Sequence, residues 1–380
     1  MKRITAILLT LTVFILTLPG TAAALSEEEI SAPSAILIDQ SSGHVLFEKN
    51  ADEQRACASV TKIMTLLLVM EALDGGRISM DDTVFTSEHA SSMGGSDIWL
   101  EVGETMTVDE MLKATVIASA NDAAVALAEH ISGSESSFVE KMNERAKQLK
   151  MTKTVFKNCN GLDEDGHITC ARDVAIMSRE LLKHKEILPY TGTRISELRG
   201  GKTQLVNTNK LLVNYEGITG LKTGTTSKAG ACISASAERN GLGLIAVVLG
   251  APSGKQRFSD ASALLDFGFA NYKMITPALP EDLPTSIPVE KGMSDTVMIK
   301  AVSDESVLMN KGTKGKITSK TELPQSVEAP IYKGQQLGKI IFYSEGERLA
   351  ETAVTADSEV ERVSFTKIFT LLLKRLLCIE

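Results

Sequence analysis

From Ala35 to Asn50, apolar and polar positions alternate on either side of Ser41-Ser42-Gly43. A period of two puts successive side chains on opposite faces of a strand, and the small polar centre supplies a turn, so a β-hairpin is predicted here. From Ser59 to Leu73 the apolar residues recur at helical spacing behind a polar first residue. Thr107 to Ile131 repeats that pattern, and Thr107 with Glu110 three residues on gives the start a capping-box signature. Asp173 to Lys183 and Phe258 to Tyr272 read as two further helices. Ala231 to Leu249 reads as paired strands turning at Arg239-Asn240-Gly241. Helices lie among hairpins rather than in βαβ alternation. The expected class is therefore α+β, an antiparallel sheet with helices on its faces.

The pattern changes near Lys273. Pro277, Pro280, Pro284 and Pro288 mark a linker. Beyond it come short runs bounded by glycine or polar residues: Val297 to Val302, Ser306 to Asn310, Gly315 to Ser319 and Lys339 to Tyr343. Ile287 to about Val360 is predicted to form a small all-β, sandwich-like domain.

Both chain ends carry their own signals. Met1 to Ser26 has Lys2 and Arg3, an apolar run from Ile4 to Leu18 broken by threonines, and a small-residue site at Ala22-Ala23-Ala24. That is the layout of a secretory signal, which places the working protein outside the cytoplasm. On a helix, Ser364 to Glu380 gathers Phe365, Ile368, Phe369, Leu372, Leu373, Leu376, Leu377 and Ile379 on one face. Lys367, Lys374 and Arg375 fall on the other, and Leu371 is a misfit. The apolar stretch is too short to cross a bilayer, so the expectation is a helix lying in the membrane interface. The chain thus divides into a signal (1–24), a larger domain (25–275), a β domain (276–360) and an anchoring helix (361–380).

A net charge of −8 argues against general nucleic-acid binding, which needs a basic field against phosphate. Aromatic residues are 4%, which argues against a stacking platform for single strands or an aromatic-lined sugar cleft. Five cysteines without a C-x-x-C and five histidines without an H-x-x-x-H offer no zinc ligand set, and no cofactor is expected. Cys159 and Cys170 are near enough in sequence to bridge, but free thiols are the expectation.

The chemistry is expected in the larger domain. Ser59-Val60-Thr61-Lys62 opens its first helix. Serine and lysine three apart share a helix face, so the amine can reach the hydroxyl. A serine alcohol is a weak nucleophile that needs a base beside it, and lysine serves only when burial or a nearby cation keeps it neutral. By itself the tetrad is a weak signal: it recurs at Ser364 to Lys367 in the tail, and an isolated Ser59 reads far more readily as a helix N-cap. Two further motifs change the reading. Ser119-Ala120-Asn121 and Lys222-Thr223-Gly224 follow in order, the second ahead of a run of strands. Ser119 can relay a proton to a leaving amine, and Asn121 can grip a peptide bond. Lys222 adds positive charge, and Thr223 offers a hydroxyl to a carboxylate. Gly224 allows close approach to the strand backbone, and the N–H of Thr225 can be a second oxyanion donor beside that of Ser59.

This trio resembles that of the serine D-alanyl-D-alanine carboxypeptidases, the low-molecular-mass penicillin-binding proteins. The resemblance runs from about Pro33 to Tyr272 and over the tail. It includes Ala58 to Thr65, Ser119 to Ala123, Asn207 to Leu212, Gly217 to Gly224, and Asn160-Gly161-Leu162 with Gly166-His167. It implies that Ser59 is acylated, that Lys62 is the base, that Ser119 and Asn121 form the second element, and that Lys222 and Thr223 form the third. It also implies that Arg257 helps to hold a terminal carboxylate, a task suited to guanidinium geometry. The implied substrate is a peptidoglycan stem peptide ending in D-Ala-D-Ala, with β-lactams as inhibitors, at the outer face of the cytoplasmic membrane. Cys57 replaces the proline usual before Ala58-Ser59, and Thr225 stands where some members carry histidine. A β-lactamase, an endopeptidase on wall cross-links, and an inert wall-binding protein are the alternatives. Glu164 and Asp165 lack the E-x-x-L-N pattern of a β-lactamase.

Overall fold

The computed structural model describes residues 25–301, 306–313 and 315–376; the signal segment lies outside the described residues, as does the chain beyond Leu376. In chain order, the larger domain contains β1 (Ser34–Asp39), β2 (Val45–Lys49), α1 (Lys62–Asp74), β3 (Thr83–Phe85), α2 (Glu88–Ser91), β4 (Thr105–Thr107) and α3 (Val108–Lys113). It continues with α4 (Asn121–Ser132), α5 (Glu135–Gln148), α6 (Ala171–Leu181), α7 (Leu188–Thr191), β5 (Ile195–Leu198), β6 (Thr203–Val206) and α8 (Leu211–Asn214). β7 (Ile218–Thr226), β8 (Gly230–Arg239), β9 (Leu242–Ala251) and α9 (Gly254–Asn271) complete it.

Five strands form the central antiparallel sheet in the order β2-β1-β9-β8-β7. Its middle strands are buried on both faces, and period two sorts their side chains between two cores. Ile245, Val247 and Leu249 face a core that includes residues of α1, α4, α5 and α6, whereas Leu244, Ala246 and Val248 pack with Leu264, Leu265 and Phe269 of α9. Both expected hairpins are present. The expected α+β arrangement is the one found.

The predicted helix from Thr107 to Ile131 is broken, and this is a correction. Its capping box is present: the Thr107 hydroxyl accepts from the Glu110 N–H at 3.2 Å, and the Glu110 carboxylate accepts from the Thr107 N–H at 3.0 Å. After α3, however, Ala114 to Ala118 widen into a π turn, and Ser119 takes left-handed backbone angles (φ 64°, ψ 27°) before α4 begins. The apolar pattern does not register the break, because both pieces bury the same kind of side chain. The first predicted helix also starts differently. Ala58 to Thr61 form a 3₁₀ turn, the α-helix begins at Lys62, and Ser59 makes no capping bond.

The rest of the described chain is β10 (Tyr272–Ile275), β11 (Ser286–Glu290), β12 (Thr296–Ala301), β13 (Val307–Asn310), β14 (Thr318–Glu322), β15 (Val327–Glu328), β16 (Gln336–Ser344), β17 (Glu347–Ala356) and α10 (Phe365–Leu376). The all-β expectation holds. The strands form a six-stranded sheet, β14-β16-β17-β12-β11-β15, and a β10-β13 pair.

Phe138 of α5 is fully buried in the core shared by the helices. Its replacement by alanine should lower the unfolding free energy by about 3–5 kcal/mol, read from urea denaturation. A loss under about 1 kcal/mol would contradict the packing described.

Candidate active site

The 3₁₀ turn holds Ser59, half-buried, one turn before Lys62. Lys62 is fully buried, and its Nζ lies 3.0 Å from Ser59 Oγ, 2.5 Å from Asn121 Oδ1 and 2.7 Å from the carbonyl oxygen of Asn160. Burial holds the amine down at about 7, against the opposing pull of the nearby Asp97 and Asp122 carboxylates. The Cys159 thiol is pushed well up by its own burial.

Asn121 reaches Lys62 because the chain breaks just before it. Its N–H donates to Ser96 O at 2.6 Å and its Nδ2 to Gly94 O at 2.6 Å, so the loop before β4 fixes both ends of the residue. The left-handed turn at Ser119 puts that hydroxyl 2.8 Å from Lys222 Nζ. Lys222 is buried too, and burial, then the Lys62 and Arg257 charges, hold its amine well below the usual range.

Lys222, Thr223 and Gly224 lie inside β7 rather than ahead of it. Thr223 donates its hydroxyl to Thr208 at 2.6 Å. Gly224 is where the strand meets the turn that carries Ser59. A Cβ there would come within 2.7 Å of Cys57 O and 2.8 Å of Ser59 N, so only glycine allows this approach. Gly161 plays the matching part on the other side, at φ +87° and with Ala58 O against it. Arg257, in the first turn of α9, donates from Nη1 to Gly224 O at 2.9 Å and to Thr225 Oγ1 at 2.8 Å, and its Nε is buried without a partner. Thr225 itself is exposed at the open end of the strand.

All nine residues singled out from the sequence therefore converge. Asn160, which contributes a backbone carbonyl, and Thr208 were not singled out as site residues, although both lie in stretches quoted for the resemblance, Asn160-Gly161-Leu162 and Asn207 to Leu212. The second S-x-x-K stands apart in the tail, where Lys367 pairs with Glu361. Glu164 accepts from Asn158 and Asp165 pairs with Lys228 at the surface.

Cys57 is fully buried, with Sγ 3.3 Å from the Thr61 hydroxyl, and burial pushes its thiol up to about 12. The Thr61 hydroxyl also lies 2.8 Å from His167 Nε2, while His167 Nδ1 accepts from the Lys157 N–H at 3.1 Å. That acceptance puts the imidazole proton on Nε2, and burial depresses His167 to about 4, so it braces the nucleophile turn as a neutral group. Cys57, Cys159, Cys170 and Cys232 are free, as expected for the 159/170 pair.

Residues 21–253 match the family model described as D-alanyl-D-alanine carboxypeptidase, and residues 272–362 match that of the penicillin-binding protein 5 C-terminal domain. The chain is 46% identical over 344 residues to the D-alanyl-D-alanine carboxypeptidase DacF of Bacillus subtilis, covering 90% of this chain and 88% of that one. Penicillin binding protein 5 from Haemophilus influenzae superposes with a TM-score of 0.75 at 31% identity, over 89% of this chain and all of the other. The ampicillin-bound penicillin-binding protein D2 of Listeria monocytogenes superposes with a TM-score of 0.58 at 34% identity, over 63% of this chain and 98% of its own.

Gly224→Ala should leave the far-ultraviolet circular dichroism unchanged and slow acylation by labelled penicillin by at least about 100-fold, the loss typical when an oxyanion donor is displaced. Unimpaired labelling would show that the contact between β7 and the nucleophile turn is dispensable.

Proposed function

Because the chain belongs to the D-alanyl-D-alanine carboxypeptidase family, we propose that it removes the terminal D-alanine of peptidoglycan stem peptides through an acyl-enzyme on Ser59, and that β-lactams acylate the same residue. The observation that carries this reading is the buried Lys62 amine. When neutral, it has two N–H bonds and one lone pair. Asn121 Oδ1 and the Asn160 carbonyl take the two N–H bonds, which leaves the lone pair for the Ser59 hydroxyl proton.

The substrate carboxylate binds at the cationic end of the cleft, near Thr223, Thr225 and Arg257. The scissile carbonyl lies against the N–H groups of Ser59 and Thr225. Lys62 takes the proton as Ser59 Oγ adds to the carbonyl carbon, and the oxyanion is held by the two donors. The Ser119–Lys222 pair gives a proton to the departing D-alanine nitrogen as its C–N bond breaks and recovers one from Lys62, whose amine is neutral again. Water then adds to the ester, Lys62 takes a proton from it and returns that proton to Ser59 Oγ as the ester C–O bond breaks, and the shortened peptide leaves.

The ends of the chain give this reading its location. The signal-like segment supports export. In α10, Phe365, Ile368, Phe369, Leu373 and Leu376 are all exposed, which suits a helix lying in the membrane interface. No helix of the described residues is long and apolar enough to cross a membrane.

Purified protein should release D-alanine from a short peptide ending in D-Ala-D-Ala, and Ser59→Ala should not. The base must be neutral, so kcat/KM should rise about tenfold per pH unit on the acid side and level off above a midpoint near 7, where Lys62 loses its proton. Absence of release by the intact chain, or rapid turnover of a penicillin adduct, would sink the assignment; the second result would favour a β-lactamase. The chain ending at Val363 should stay in the supernatant when mixed with lipid vesicles, whereas a chain carrying the tail sediments with them. Equal sedimentation would remove the anchoring role.

A further inference from the structure

The loop that positions Asn121 continues past it. Asp122 Oδ2 accepts from the N–H groups of Ile98 at 3.1 Å and Leu100 at 3.0 Å. From the other side Arg199, between β5 and β6, donates to Ile98 O at 2.9 Å and to Trp99 O at 3.4 Å. Both Glu104 carboxylate oxygens hold Arg199 in turn, at 2.7 and 3.0 Å. The backbone around Trp99 is therefore fixed from two directions. Ile98 and Leu100 are buried, and Trp99 between them is 80% exposed. It is the one tryptophan in the chain, and its φ of 54° is an uncommon conformation for a bulky residue. Phe85, 69% exposed, and Val102, 65% exposed, lie on segments tied to the same loop: Thr86 N–H donates to Glu104 O and Gly103 N–H to Thr86 O. Exposed large apolar side chains on segments held together in this way mark an interaction site.

We propose that Trp99, with Phe85 and Val102 exposed on segments tied to its loop, docks the glycan chain of the wall polymer, with the apolar face of a sugar ring against the indole while the stem peptide runs to Ser59. The proposal rests on the carboxypeptidase reading, and continuity with the cleft argues for this occupant. Gly94 touches Asn121, and Trp99 is five residues further along, at most about 17 Å of extended chain. Asp122, next to Asn121, holds the N–H groups on both sides of Trp99, so the platform adjoins the Asn121 end of the cleft. The low aromatic content argued against an aromatic-lined sugar cleft, but an open lip needs a single indole.

Because Trp99 is unique, its fluorescence reports directly on the platform. Wall glycan stripped of peptide should shift or quench the emission of the full chain in a saturable way, whether or not the enzyme is active. No change at high glycan, or a change with lipid vesicles but not with glycan, overturns the proposal, the latter in favour of a membrane contact. Kinetics supply the second arm. Trp99→Ala should lose about fivefold in kcat/KM on glycan-linked peptide, mainly through KM. On the free peptide it should change less than about twofold, and Trp99→Phe should recover most of the loss. An equal loss on both substrates would show a purely structural role and also overturn the proposal. Failure of the unaltered chain to cleave free peptide strikes the carboxypeptidase reading, and the fluorescence result still decides the platform.

Discussion

A lysine amine taken wholly out of water is the constraint around which this catalytic domain is arranged. Burial makes the charged form of Lys62 costly, and three oxygen atoms from three separate stretches of chain must be present for the amine to be satisfied. One belongs to Ser59, one to the start of α4, and one to a loop carbonyl. Each has to be delivered by the fold with a tolerance of a few tenths of an ångström. The second buried amine, Lys222, lies in β7 and makes its own contact with Ser119, so two amines share one low-dielectric pocket, and charge on Lys62 makes that of Lys222 harder to keep.

Delivering those atoms requires backbone that a regular helix or strand would not supply. The π turn and the left-handed Ser119 interrupt what would otherwise be one helix, and the Ala120 N–H reaches back to Ala114 O across the break. The interruption turns Ser119 toward β7 and lets Asn121 start a new helix pointed at Lys62. Opposite, Gly224 and Gly161 let two backbones close on the Ala58–Ser59 peptide from both sides, where any side chain would hold them apart. The cleft is a place where three chain segments approach at main-chain distance. A neutral imidazole beneath the turn and a clamped loop beside Asn121 keep those segments from relaxing.

Much of this was legible one residue at a time. The hairpins, the capping box at Thr107, the all-β character after Lys273 and the amphipathic tail follow from side-chain periodicity and capping chemistry, because burial on one face leaves a linear record. β15 and β17 left a weaker record. β15 has two residues, and β17, Glu347–Ala356, mixes exposed, half-buried and buried positions with no clean period of two, pairing with neighbouring β16 on one side and β12 on the other. Asn160 could not be weighted properly because a carbonyl oxygen is common to every residue.

The sequence by itself determined the chemical inventory and its order: a serine with a lysine one turn away, a serine and an asparagine two apart, and a lysine, threonine and glycine heading a strand run. It also determined that no basic field for nucleic acid accompanies them. Only the tertiary structure decided that α3 and α4 are two helices, that the third motif lies within a strand pressed on the nucleophile, and that the amine is dry enough to be neutral near pH 7. The reason is physical. Periodicity records whether a side chain is covered, whereas hydrogen bonds such as that from Asn121 N–H to Ser96 O depend on which distant segment does the covering.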